Sequence, residues 1–165
     1  MRLTDIAPLE KWIELEKEIA RKWGLNASVF SNEGSRITDY KKWANKLCPV
    51  IKANDKGQSF ICAVAHMNIA KEAERERKPV IDECDAGLVK IVVPVFVNDE
   101  FVGTVGGCGL LLDNGEVDSF LINKITGIHE VETERLSNDI KSFSEDEAKE
   151  LCLFIQKEID LLIVS

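Results

Sequence analysis

The sequence predicts a single α+β domain: a mainly antiparallel sheet with helices packed on its face and ends. Three observations carry this. Apolar residues recur at three- and four-residue steps near both ends of the chain, and between them the period switches to short β-branched runs at residues 80–83, 88–97 and 101–112. The length of 165 residues suits one core, which buries roughly two-thirds of the unfolded surface.

Leu9, Trp12, Ile13, Glu16, Ile19, Ala20 and Trp23 share one helix face on which only Glu16 is polar, and Gly24 is a suitable C-terminal cap. Residues 26–30 read as a short strand, and residues 35–38, beyond the turn at Asn32 to Gly34, as a second. From 39 to about 53, Tyr40, Trp43, Ala44, Leu47, Cys48 and Ile51 again have helical spacing, which Pro49 kinks or breaks. A longer helix follows Gly57 to about Arg77, with Phe60, Ile61, Val64, Ala65, Asn68, Ile69, Glu72 and Ala73 on one side. The compact turn at Asn98 to Glu100 makes a hairpin of the last two β-branched runs. Gly103 and the cluster Gly106, Gly107 and Gly109 mark a strand that bulges or lies close to something bound. Helices are expected over 116–126, 130–136 and 144–162. Ser144 and Glu147 form a capping box for the last of them, whose stripe is Ala148, Leu151, Cys152, Ile155, Ile159 and Leu162.

Composition removes several functions. With 29 acidic and 21 basic residues the net charge is −8, a field that repels a phosphate backbone, so no nucleic acid partner is expected. The basic stretch 71–78 is interrupted by three glutamates at helical spacing and reads as a solvated helix face. No apolar run approaches the ~20 residues that span a bilayer, and the charged N-terminus lacks the apolar core of an export signal. The expectation is a cytoplasmic protein without a membrane partner. Five cysteines, an odd number, fit a reducing compartment with free or metal-bound thiols.

Those cysteines are the main chemical clue. Cys48, Cys62 and Cys84 lie 14 and 22 residues apart, which matches none of the close spacings of a zinc finger. Thiolates are good ligands for soft and borderline metals, and His66 stands one helical turn after Cys62, so a fold that gathered them would make a metal shell. Cysteine is equally a small core residue, and the spacing leaves both readings open. His129 reads as a surface residue or a helix cap, and Cys152 as packing. Cys108, inside the glycine cluster, sits where a backbone approaches a ligand closely. The glycine cluster lacks the lysine of a phosphate loop and the spacing of a dinucleotide site, and two histidines leave little choice of base for a cysteine nucleophile. The chain is read as a non-enzyme.

The stretch Pro79-Val-Ile-Asp-Glu-Cys-Asp-Ala-Gly-Leu-Val-Lys-Ile-Val-Val-Pro94, followed by Phe101-Val-Gly-Thr-Val-Gly-Gly107, resembles the PocR ligand-binding domain, a PAS-like sensory module. The residues that carry the resemblance span about 9–112, leaving a helical C-terminal extension at 113–165. The resemblance implies a PAS-like sheet with a pocket for a small organic molecule. It also makes Cys48, Cys62 and Cys84 candidates for a shared site and Gly87, Gly106 and Gly107 candidates for shaping the pocket. Where relatives carry a histidine after the third cysteine this chain has Asp85, a harder ligand, which puts any site built on that imidazole in doubt.

The leading expectation is therefore a stand-alone sensory module that binds a small-molecule ligand or a metal at Cys48, Cys62, Cys84, Asp85, Gly87, Gly106, Gly107 and Cys108. It signals through a protein partner and forms a homodimer through the apolar stripes of its terminal helices. The alternative is a metal or iron–sulfur protein in which Cys48, Cys62, Cys84 and His66 hold zinc, iron or a cluster.

Overall fold

A computed structural model describes residues 1–165. After a single turn, α1 (Leu3–Ile6), the helix α2 (Leu9–Trp23) buries Trp12, Leu15, Glu16, Ile19 and Ala20 and stops at Gly24, whose φ of 75° closes it with a hydrogen bond to the Ala20 carbonyl. The Trp12 indole N–H is shared by the Leu3 and Ala7 carbonyls, which ties the first turn to the helix. The strands β1 (Asn26–Ser31), β2 (Val80–Glu83), β3 (Val89–Val97) and β4 (Glu100–Cys108) form one antiparallel sheet in the order β1-β4-β3-β2. Asn98 and Asp99, with φ of 50° and 66°, make the two-residue left-handed turn that closes the β3–β4 hairpin.

Alternation along the strands divides the sheet into two unlike faces. Val89, Ile91, Val93 and Val95, with Ala27, Val29 and Val105, enter the main core beneath α2 and the long terminal helix α8 (Glu145–Val164). The other face carries Asn26, Ser28, Phe30, Lys90, Thr104 and Cys108. It is roofed by α3 (Leu47–Ala53) and by a helical run made of α4 (Asp55–Gly57), a π turn (Gln58–Cys62) and α5 (Ala63–Glu76). A second cluster joins Leu47, Ile51, Ile61, Ala86 and Leu88 to Ile122 of α6 (Ser119–Thr126) and Leu136 of α7 (Glu130–Leu136). This is the α+β, PAS-like arrangement expected from the sequence.

Three local expectations are corrected. Residues 35–38 make no strand beyond one bridge between Phe30 and Arg36, because side chains hold the segment instead. The Thr38 hydroxyl donates to Glu16 Oε2 at 2.7 Å and the Arg36 guanidinium reaches the same oxygen at 3.2 Å, so the one polar residue on the α2 stripe is a buried anchor. Helix does not begin at 39 but at Leu47, which leaves Pro49 in the first turn, where a missing N–H costs nothing. The last expected strand ends at Cys108: Gly109 turns away with φ of 105°, and β5 (Leu111–Leu112) pairs in parallel with β6 (Ser142–Phe143) as a separate ribbon.

The π turn also changes which residues of the roof face inward. It spans one residue more than an α turn, so Ile61 and Cys62 both point to the sheet while Phe60, expected inside, is 58% exposed. The capping box at Ser144 and Glu147 and the buried stripe Ala148, Leu151, Cys152, Ile155 and Ile159 are as expected.

Candidate ligand-binding pocket

Between the polar face of the sheet and its helical roof lies a cavity of about 450 Å³, a volume suited to a small organic molecule. Half of its thirty lining residues are hydrophobic. Four of the five free cysteines converge on it from four elements: Cys48 from α3, Cys62 from the π turn, Cys84 from the turn after β2 and Cys108 from the end of β4. The fifth, Cys152, packs in the main core, where burial pushes its thiol up to about 11.

Asn45 sets the position of Cys48. Its carboxamide N–H₂ donates to the Gly109 carbonyl at 2.7 Å and to Cys48 Sγ at 3.3 Å, while its oxygen accepts the Cys48 N–H at 2.7 Å. Cys84 is carried by a tight turn in which the Gly87 N–H bonds to the Cys84 carbonyl and the Cys84 N–H to the Leu88 carbonyl. Burial is the first cause that raises the Cys48, Cys62 and Cys84 thiols, with neighbouring Cys108 adding to it, and Cys84 reaches about 11. These three thiols are neutral at pH 7, the opposite of an activated nucleophile.

His66, 8% exposed, stacks on the Phe30 ring with centroids 3.7 Å apart. Burial, then the charges of Lys90 and Lys52, lowers its pKa to about 3, so it stands in the cavity wall as a neutral imidazole. Its Nδ1 has no hydrogen-bond partner, and neither has Asn26 Oδ1 nor Gln58 Oε1, both also on the wall. Orphaned polar atoms are rare in protein interiors and point to something that completes them.

Of the residues expected at the site, Cys48, Cys62, His66, Cys84 and Cys108 line this cavity, whereas Asp85, Gly87, Gly106 and Gly107 do not. Asp85 is exposed to solvent. Gly87 is a backbone requirement: its φ is 87° and a Cβ would stand 2.1 Å from the Glu116 carbonyl oxygen. Cβ atoms at Gly106 and Gly107 would meet Ile91 and Leu25, so these glycines serve close packing of the sheet. Although four thiols share the cavity, no group of three or more His, Cys, Asp or Glu side chains is arranged to hold a metal ion. His129 caps α7, its Nδ1 accepting the Val131 N–H.

Sequence reasoning missed Asn26, Asn45, Lys52, Gln58 and Lys90. Only Lys90 had a signal: a lone lysine in the apolar run of β3, on the face opposite Val89 and Ile91.

No helix is long and apolar enough to cross a membrane. No curated protein and no solved structure matches the chain. The sequence model of one family, described as the sensory domain found in PocR, matches residues 5–164, and so runs past Leu112 through the C-terminal helices. By that match over nearly its whole length, the chain belongs to the PocR sensory domain family.

Proposed function

We propose that the protein is a non-catalytic sensory module of a reducing, cytoplasmic compartment that binds a small organic molecule between sheet and roof and passes the bound state to a protein partner. The observation that carries this reading is the cavity with orphaned polar atoms of His66, Asn26 and Gln58 in a wall otherwise half apolar. Apolar walls with a few placed polar groups are the usual make-up of a small-molecule site. Thermal melting against a library of small organic molecules tests it. At a hundredfold excess over Kd a ligand adds about 2.7 kcal/mol, or roughly 5–10 °C for a domain of this size. The shift is expected to vanish in Ala65→Trp, which fills the cavity from α5. A shift that survives that substitution would place binding elsewhere and sink the reading.

A second reading rests on the four thiols that share the wall. In it a soft metal or an iron–sulfur cluster draws Cys48, Cys62, Cys84 and Cys108 together from the separated arrangement seen here. Elemental analysis of protein purified without oxygen separates the two. Near-stoichiometric zinc or iron lost on Cys84→Ser supports the metal, and metal-free folded protein that still binds organic molecules dismisses it.

The outward side of α8 leaves Leu153, Leu161 and Val164 exposed, which supports self-association through this helix. Light scattering at micromolar concentration is expected to report a dimer, and a monomer there removes that part of the proposal.

A further inference from the structure

The chain is acidic overall, with a net charge of −8, yet the charged side chains inside the cavity are cationic: Arg36, which is paired with Glu16, and Lys52 and Lys90, which are not paired. Lys90 projects from the middle of the sheet and is only 8% exposed. It forms no ion pair and no side-chain hydrogen bond, and its Nζ stands over the face of Phe30, 5.3 Å from the ring centroid. Lys52 of α3 lines the same cavity, again without an ion pair. The carboxylates of the wall, Glu33 and Glu74, are exposed at its rim. The Cys48, Cys62 and Cys84 thiols supply no counter-charge, because burial holds them protonated.

An ammonium that opens on a half-apolar cavity with no anion beside it is a costly arrangement, and a cation–π contact repays only part of that cost. The strand register shows what surrounds it. Asn26, Cys108 and Lys90 are Cα partners across β1, β4 and β3, so amide, thiol and ammonium stand in one row on the cavity floor. His66 is stacked on the ring over which Lys90 sits, and its unpartnered Nδ1, like Asn26 Oδ1, belongs to a side chain more than nine-tenths buried.

We infer that the molecule this cavity takes is a small organic acid: a carboxylate that pairs with Lys90, on an apolar body that carries a further polar group within reach of Asn26, Gln58 or His66. The inference rests on the pocket reading above and narrows it. A single carboxylate matches the one deeply buried lysine, and the apolar half of the wall has no use in binding a bare inorganic anion. Lys52, half-buried in the same wall, adds to the field that favours an anion over its neutral analogue.

The test is a matched series of short aliphatic and phenylalkyl carboxylic acids, each with its own primary amide and alcohol, titrated calorimetrically at pH 7 into the wild-type chain and into Lys90→Met. The acids are expected to bind about tenfold or more tighter than their amides and alcohols, since a charge-assisted hydrogen bond in a buried site outweighs a neutral one. In Lys90→Met that preference is expected to collapse while affinity for the amides is kept. Amides or alcohols that bind as well as the acids overturn the anion inference and leave the pocket reading standing. Binding by none of the series at millimolar concentration overturns the anion inference, and the library melts with Ala65→Trp then decide the pocket reading separately. A preference that persists in Lys90→Met assigns the anion to another group and overturns the role of Lys90. Should that variant not fold, the preference measured in the wild-type chain decides alone.

Discussion

The neutral His66 makes the fold sensitive to acid in a way that can be worked out from its surroundings. Burial and the positive charges of Lys90 and Lys52 take its pKa from 6.5 to about 3 on folding. Between those values the unfolded chain binds a proton that the folded chain refuses, so stability is complete above pH 6.5 and falls as the pH drops toward 3. At pH 4.5 the loss from this residue is about 2.7 kcal/mol, from two pH units at 1.36 kcal/mol each, a large fraction of the 5–15 kcal/mol that holds a domain. Urea melts at pH 7 and 4.5, on the wild-type chain and on His66→Gln, isolate that contribution, because every other titrating group is common to both. The variant is expected to lose about 2.7 kcal/mol less than the wild type between the two conditions, seen as a midpoint that moves roughly 1–2 M less. Equal losses, within about 0.5 kcal/mol, would show that the imidazole is solvated or paired and would refute the reasoning.

Three further outcomes are expected. Arg36→Met leaves the fully buried Glu16 carboxylate with Thr38 as its remaining side-chain partner and costs about 3–5 kcal/mol in chemical denaturation, much of which Glu16→Gln in the same chain restores. An Arg36→Met cost below about 1 kcal/mol would mean that Glu16 is protonated in the native state, the direction in which its burial already pushes it. Gly87→Ala, with φ of 87° and a backbone oxygen in the way, is expected to lose at least about 2 kcal/mol and to loosen the turn that carries Cys84; an unchanged melting temperature contradicts this. Iodoacetamide at pH 7.5 is expected to label Cys48, Cys62 and Cys84 more slowly in the native chain than in urea, and a fast-reacting residue among them, located by mass spectrometry, would revive a thiol-enzyme reading.

The helices that follow a single periodic stripe were legible in the sequence: α2 with its Gly24 cap, α7 at 130–136 and α8 with its Ser144 box all stand where the spacing put them. What periodicity could not show is a change of phase. The π turn at Gln58–Cys62 adds a residue without any breaker in the sequence, so a stripe extrapolated at 3.6 residues per turn places Phe60 inside and leaves Cys62 off that side. Segment 35–46 was misread because its order comes from side chains far along the chain: Glu16 holds Arg36 and Thr38, and Asn45 grips Gly109. Spacing reported which elements bear cysteines but not that four of them face one cavity, since that follows from β4 lying between β1 and β3 with the roof folded across. The glycines 87, 106 and 107 looked functional for a related reason. Close approach of backbone and a ligand-lined wall leave the same mark in a sequence, and here the approaching atoms are Glu116, Ile91 and Leu25.

For occupancy of the cavity to be sensed, it must bias something at the surface, and two routes lead there. One passes through β3 to α8: Lys90 lies on the cavity side while Val89 and Ile91 pack in the main core. That route crosses a strand laddered on both sides and a core of 21 buried residues, which resists small displacements. The other is side chain on side chain. Ile51, Ile61, Ala86 and Leu88 line the cavity and also form, with Leu47, Ile122 and Leu136, a cluster of only seven buried residues beneath α6 and α7. A small satellite core opens at lower free energy than the main one, so its helices respond first. These helices also present Phe120 and Val131, 61% and 66% exposed, to any partner. Hydrogen exchange with and without a cavity ligand is therefore expected to change most at the amides of α6 and α7 and least at those of α8. Protection gained in α8 alone would place the output on the terminal helix and show that the sheet, not the satellite cluster, carries the signal.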